Sequence, residues 1–306
     1  MTERDRFGYK QSMQTQKIIH HIVNWLCTYV TESGLTGFCV GVSGGIDSAV
    51  TSTLCARTQK PTMVLNMPIF QASDQLSRAL AHNAWLKDKF SNVTLVDQDL
   101  TPVFSSIQDS FPSDIQDSLT MANTRSRLRM LTLYAFAAHN RFLVAGTGNK
   151  VEDFGVGFYT KYGDGGVDIS PIGDLLKSEV YALARTLGIA KQIIAASPTD
   201  GLWEDNRTDE EQIGATYAEL EWAMAFNALP EEEKKHVNLD ARQKQVLKIF
   251  KKLHAANRHK MDPIPAIEQP PGLACGRHWS GRAVGSLQGM ITIPPTDRRE
   301  KRAHRL

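Results

Sequence analysis

The stretch Gly37-Phe38-Cys39-Val40-Gly41-Val42-Ser43-Gly44-Gly45-Ile46-Asp47-Ser48 constrains this chain more than any other feature. An apolar run of strand length meets a glycine-rich turn, and a helical pattern follows over about residues 47–57. Such a turn aims several backbone N–H groups at one point, and the helix behind it adds the positive end of its dipole. Gly44 and Gly45 let the backbone approach a phosphate closely and reach positive φ. Ser43 and Ser48 add hydroxyl donors. Asp47 would repel a bare phosphate, so a carboxylate in this place points to a bridging cation, most simply Mg2+. No lysine follows the second glycine, which excludes a Walker A loop, and the spacing is not that of a G-x-G-x-x-G dinucleotide fingerprint.

The surroundings repeat the alternation. Apolar runs of strand length lie at about residues 62–67, 93–96 and 142–145, with helical patterns between them at about 74–90 and 121–139. A helix over about residues 11–31, with Ile18, Ile19, Ile22, Trp25, Leu26 and Val30 at helical spacing, precedes the first strand. Strands alternating with helices predict an α/β fold: an open, doubly wound parallel sheet with helices on both faces. Residues 148–173 read as a loop rich in glycine and aspartate. Helices resume at about 175–187, 209–226 and 240–257. The 21 residues from 188 to 208 show little periodicity, and a loop of that length inside a domain is usually functional or disordered.

The formal net charge of +2 does not mark a polyanion binder. Cys27, Cys39, Cys55 and Cys275 form no C-x-x-C pair, which argues against a zinc ribbon or redox motif and suits buried thiols in a reducing cytosol. The polar start carries no signal-peptide pattern, and no apolar run is long enough to span a membrane. A cytoplasmic protein without nucleic-acid or membrane partners is expected. Composition shifts near Met261, where Pro263, Pro265, Pro270 and Pro271 precede a basic end. Residues 1–263 are expected to form the catalytic domain and 264–306 a poorly ordered tail.

Two further strings carry chemistry. Gly146-Thr147-Gly148-Asn149-Lys150-Val151-Glu152-Asp153 follows the strand ending near Ala145. In open α/β sheets, ligands sit beyond the carboxyl ends of the strands where strand order reverses. Thr147 would then face the phosphate loop, and Glu152 would give a second carboxylate to the same cation. The stretch Gly157-Phe158-Tyr159-Thr160-Lys161-Tyr162-Gly163-Asp164-Gly165-Gly166-Val167-Asp168 offers aromatic faces, a lysine for a phosphate and a carboxylate for a hydroxyl or amine. Lys177 opens the next helical pattern and is within reach of a phosphate.

The S-G-G-x-D-S string resembles the pyrophosphate loop of the N-type ATP pyrophosphatases, which cut ATP between the α and β phosphates. The G-F-x-T-K-Y-G-D-G-G-x-D string with its downstream lysine is similar to the NAD synthetases of that group, over roughly residues 14–263. The resemblance implies an adenine nucleotide alpha hydrolase-like fold and ATP-dependent amidation of deamido-NAD by ammonia. It implies that Gly41, Val42, Ser43, Gly44, Gly45, Ile46, Asp47, Ser48, Thr147, Lys177 and Thr199 bind ATP. Asp47 and Glu152 would hold Mg2+. Arg127, Lys161, Asp168, His259 and Lys260 would contact deamido-NAD. Asp47 and Lys177 would be catalytic, with Asp168 a participant in deprotonating ammonium. A homodimer is implied as well.

Some alternatives stay open. Arg125 and Arg129 share a helix face with each other, and the spacing of 20 residues to Thr147 selects Arg127. Glu152 and Asp153 compete for one ligand position, because the loop is a residue longer than in some relatives. Residues 197–205 and 67–74 resemble the family's loops over the active site, which would keep water from an acyl-adenylate. About 36 residues precede the first strand, too few for an amidase domain, so free or delivered ammonia is the expected nitrogen source. Rival readings are a tRNA-modifying adenylase and a nucleotide-binding regulator without catalysis.

Overall fold

The computed structural model describes residues 3–199, 201 and 208–267, with side chains from residue 14 onward. Among these, four short strands pair in parallel: β1 (Gly37–Gly41), β2 (Thr62–Asn66), β3 (Val93–Asp97) and β4 (Phe142–Val144). Their spatial order is β3-β2-β1-β4, so the direction of winding reverses between β1 and β4. Side chains alternate across the pleat, and a parallel sheet covered on both faces needs both sets apolar. In β1, Phe38 and Val40 join one core cluster while Cys39, between them, joins another, and all three are fully buried.

Helices α1 (Glu3–Glu32) and α2 (Ile46–Arg57) cover the first face, with α3 (Ser73–Lys89) against α2, β2 and β3. Helices α4 (Thr101–Ser110) and α5 (Ser118–Asn140) cover the second. The chain continues through α6 (Lys177–Leu187), which packs on α1 and α2, and the short α7 (Lys191–Ile194). A separate apolar cluster joins α8 (Asp209–Ile213), α9 (Tyr217–Ala228) and α11 (Ala241–Met261), with α10 (Glu231–Lys235) between the last two in sequence. The doubly wound parallel sheet is the expected fold. The chain divides into the units Met1–Ala266 and Ile267–Leu306. The proline-rich and basic tail, with Cys275, lies outside the described residues apart from its start.

The elements differ from expectation in instructive places. Helix α1 begins at Glu3 rather than near residue 11. Helix α4 carries serines and a β-branched valine and isoleucine, so propensity hides it; a proline in its first turn and the fully buried Phe104 hold it in place. The helix expected at 209–226 is two helices. Gly214, at φ +84°, ends α8, and Thr216 caps α9 by accepting from the Glu219 N–H while the Glu219 carboxylate accepts from the Thr216 N–H. Within the expected loop at 148–173, residues Val151–Val156 form one π-helical turn.

His82 on α3 is buried, stacks on Trp85 and places Nε2 3.0 Å from Ser52 Oγ on α2. Burial pushes its pKa down from 6.5 to about 4. Below pH 6.5 the unfolded chain takes up a proton that the native chain refuses, so stability falls as pH drops from 6.5 towards 4. Urea unfolding across this window should show a flatter pH slope for His82→Gln than for the parent chain.

Candidate active site

The cleft lies where the winding reverses. The loop after β1 and the turn after β4 face each other across ≈ 250 Å³ of space. All residues from Gly41 to Ser48 line it, as do Thr147, Glu152, Lys177 and Thr199. The residues expected from sequence to bind the nucleotide and a cation therefore line one cavity.

The phosphate loop is shaped by one glycine more than the other. Gly44 has φ +85°, and a Cβ there would stand 2.4 Å from the Gln75 carbonyl oxygen on α3. Gly45 is extended at φ −89° and caps α2 without a side-chain hydrogen bond, so the first amides of α2 remain for a ligand. Ser48 Oγ donates to the Gly45 carbonyl at 3.0 Å and accepts from the Ser43 N–H at 3.2 Å, which closes the hairpin.

Behind the loop sits a buried charge cluster. Lys177, the first residue of α6, is 2% exposed, and its ammonium donates to Asp47 Oδ2 at 2.7 Å and Glu152 Oε1 at 3.0 Å. Burial works against the lysine's charge, but the two carboxylates overturn this and raise its pKa. Burial drives Asp47 upward, with Lys177 opposing. Glu152 is pushed up by burial too, yet Lys177 and the Tyr217 hydroxyl prevail and hold it below the usual range. Asn149, fully buried, donates to Asp47 Oδ1 at 3.1 Å and accepts from the N–H groups of Val151 and Glu152 at 3.1 and 3.2 Å. It thus ties the carboxylate of α2 to the π-helical turn.

The donor set suits Mg2+. Two hard carboxylates, with one more negative charge than the Lys177 ammonium balances, stand beside a loop built for phosphates, and such ions take one or two carboxylates plus substrate oxygens. Asp153 also lines the cleft, and its oxygens pack where a Gly148 Cβ would stand. Burial, then the charges of Glu152, Asp164 and Asp47, raise it well above the ordinary range. Glu152, not Asp153, is the acid that shares the Lys177 ammonium with Asp47.

The residues expected at deamido-NAD fall elsewhere. Arg127, Lys161, His259 and Lys260 gather outside the cleft lining, where α5, the glycine-aromatic loop and the end of α11 meet. Lys161 donates to the His259 carbonyl at 2.5 Å, and Arg127 Nε to the Lys161 carbonyl at 3.4 Å. Lys260 donates to the carbonyls of Gly157 and Tyr159 at 2.9 and 2.7 Å, so it fastens the loop to α11. The His259 ring lies 3.1 Å from the Ala256 carbonyl. Asp168 is not part of the cleft lining: its carboxylate accepts from the Tyr134 hydroxyl at 3.0 Å and the Val144 N–H at 2.8 Å, and so braces β4 against α5.

Several site residues are not evident from sequence. Ser126 on α5 donates to Asp164 at 2.6 Å and anchors the glycine-aromatic loop. Arg129, not selected by spacing, lines the cleft and donates to the Met67 carbonyl at 3.0 Å. Tyr217 donates to Glu152 Oε1 at 2.5 Å. Two successive T-x-x-E capping boxes, at Thr208 and Thr216, are the one sequence signal that marks Tyr217 as a first-turn residue. Of the loops read as covers, residues 200 and 202–205 lie outside the described residues.

A family model described as NAD synthase matches residues 18–264. The chain belongs to the NAD synthase family. A relative named NH(3)-dependent NAD(+) synthetase from Carboxydothermus hydrogenoformans is 40% identical over 203 residues, 65% of this chain and 81% of its own. One of the same name from Alkaliphilus metalliredigens is 35% identical over 262 residues, 83% of this chain and 100% of its own. Among solved structures, an NMN synthetase from Francisella tularensis superposes with TM-score 0.71 at 28% identity, over 83% of this chain and 99% of that one.

The two loop glycines should respond differently to substitution. Gly44→Ala incurs about 1–2 kcal/mol from its positive φ alone, and its methyl also meets the Gln75 backbone at 2.4 Å. A fall in both thermal midpoint and ATP affinity is expected. Gly45→Ala meets no closer atom than Ser43 Oγ at 3.3 Å, so its thermal midpoint should change less.

Proposed function

We propose that this chain is an ammonia-dependent NAD synthetase that adenylates the nicotinate carboxylate of deamido-NAD and replaces AMP with an amide. The carrying observation is the buried Lys177–Asp47–Glu152 cluster set beside the Gly44 loop, in a chain of the NAD synthase family.

The loop amides and the start of α2 receive the β and γ phosphates of ATP, and Lys177 sets a fixed positive charge next to them. The nicotinate carboxylate attacks the α-phosphorus and pyrophosphate leaves. Mg2+, held by Asp47 and Glu152, would supply further positive charge where the phosphate oxygens become more negative. Ammonia then attacks the acyl carbonyl, AMP departs with the carboxyl oxygen, and a proton is released. No protein nucleophile is needed. Burial, then Asp168, keeps the Cys39 thiol protonated, with its pKa pushed up to about 12. Arg127, Lys161, His259 and Lys260, at the rim, are assigned to the deamido-NAD half of the substrate set.

A homodimer belongs to the same proposal. Sedimentation should report twice the 34.0 kDa of one chain. Among the described residues no helix is long and apolar enough to cross a membrane, and a cytoplasmic location is proposed.

The assay uses purified protein with ATP, Mg2+, ammonium and deamido-NAD. Equimolar NAD, AMP and pyrophosphate are expected, and ADP as the nucleotide product would overturn the reading. Because one solved relative is named an NMN synthetase, nicotinate mononucleotide is the acceptor to compare, and a higher kcat/KM with deamido-NAD is expected. Asp47→Asn should lower turnover by roughly a hundredfold or more, the scale of losing one preorganised charge partner.

A further inference from the structure

Tyr217 opens α9, is 6% exposed and takes no part in the chemistry above. Its backbone N–H is anchored on Glu210 Oε1 at 2.9 Å. Its hydroxyl donates to Glu152 Oε1 at 2.5 Å and lies 3.1 Å from Asp209 Oδ2. The same Glu152 oxygen accepts from Lys177, whose ammonium stands 4.5 Å from the centre of the Tyr217 ring. One turn further along α9, Glu221 accepts from the N–H and the hydroxyl of Ser178, both at 2.8 Å, and so caps α6 directly behind Lys177. One face of α9 therefore grips both the second carboxylate and the root of the lysine.

A glutamate side chain has three rotatable bonds and loses that freedom whenever it binds a cation. A neighbour that fixes the carboxylate beforehand removes part of this cost, which is why residues behind a ligand govern affinity nearly as much as the ligand itself. A phenol is well suited to such a role. It has one proton to give, it cannot compete for the cation as a carboxylate would, and its ring face attracts an ammonium.

We propose that Tyr217 is a positioning residue of this site. Its hydroxyl fixes the Glu152 carboxylate in the orientation that receives a divalent cation, and its ring holds the Lys177 ammonium beside it. The inference rests on the assignment of Glu152 as a cation ligand.

Mn2+ binding serves as the direct probe, followed by electron paramagnetic resonance on the full chain with an ATP analogue blocked between the α and β phosphates. Tyr217→Phe keeps the ring and loses the hydroxyl. It should weaken Mn2+ binding roughly tenfold or more, raise the Mg2+ needed for half-maximal turnover, and leave the KM for deamido-NAD unchanged. Tyr217→Leu, which also lacks the ring, should in addition raise the KM for ATP. In a Glu152→Gln background, Tyr217→Phe should add nothing to the Mn2+ defect, because the hydroxyl acts through that carboxylate. Unchanged Mn2+ affinity in Tyr217→Phe, or additive effects in the double variant, would overturn the inference while leaving Glu152 as ligand. Unchanged affinity in Glu152→Gln alone would overturn the cation assignment and the inference with it.

Discussion

The rest of the site depends on an ammonium that cannot stand alone. Lys177 is buried to 2% exposure, and a charge in that position survives only when paired and hydrogen-bonded. Its two partners come from distant parts of the chain: Asp47 from the first turn of α2, Glu152 from the π-helical turn after β4. Each partner is held in turn, Asp47 by Asn149 and Glu152 by Tyr217. Deleting the lysine leaves two buried carboxylates without a counter-charge, a loss of about 3–5 kcal/mol in comparable cases. The same triangle thus joins the sheet face under α2 and α6 to the apolar cluster of α9 and α11. It also places positive charge at the phosphate loop before any nucleotide arrives.

How much of this could be read from sequence follows the range of the interactions. The loop at 41–48 is legible because its function lies in local backbone geometry: glycine for positive φ, a helix N-terminus for charge. The parallel sheet is legible from alternation, whereas the order β3-β2-β1-β4 rests on packing between segments far apart in sequence. Asp168 shows the opposite limit. A motif gives the residue type but not the direction of its side chain, and here the carboxylate turns to the Val144 amide and the Tyr134 hydroxyl. The hold of the Lys260 ammonium on two loop carbonyls is likewise invisible in the motif. Helix α4 is hidden for another reason, since a buried Phe104 outweighs weak local propensity.

The glycine-aromatic loop gains its shape from neighbours that sequence distance conceals. Ser126 and Asn123 on α5 hold Asp164 and Thr160, and Lys260 on α11 holds the other side. The loop is therefore clamped between two helices that lie far apart in the linear chain. These clamps tie the rim that carries Arg127 and Lys161 to both α5 and α11.

The turn at Val151–Val156 has a further consequence. A π-helical ring encloses one residue more than an α-helical one. Removing a single residue there would tighten the ring and rotate the flanking segment by about 100° around the axis. Glu152 and Asp153 are adjacent acids on that ring, and its register decides that the first meets the lysine while the second packs against Gly148.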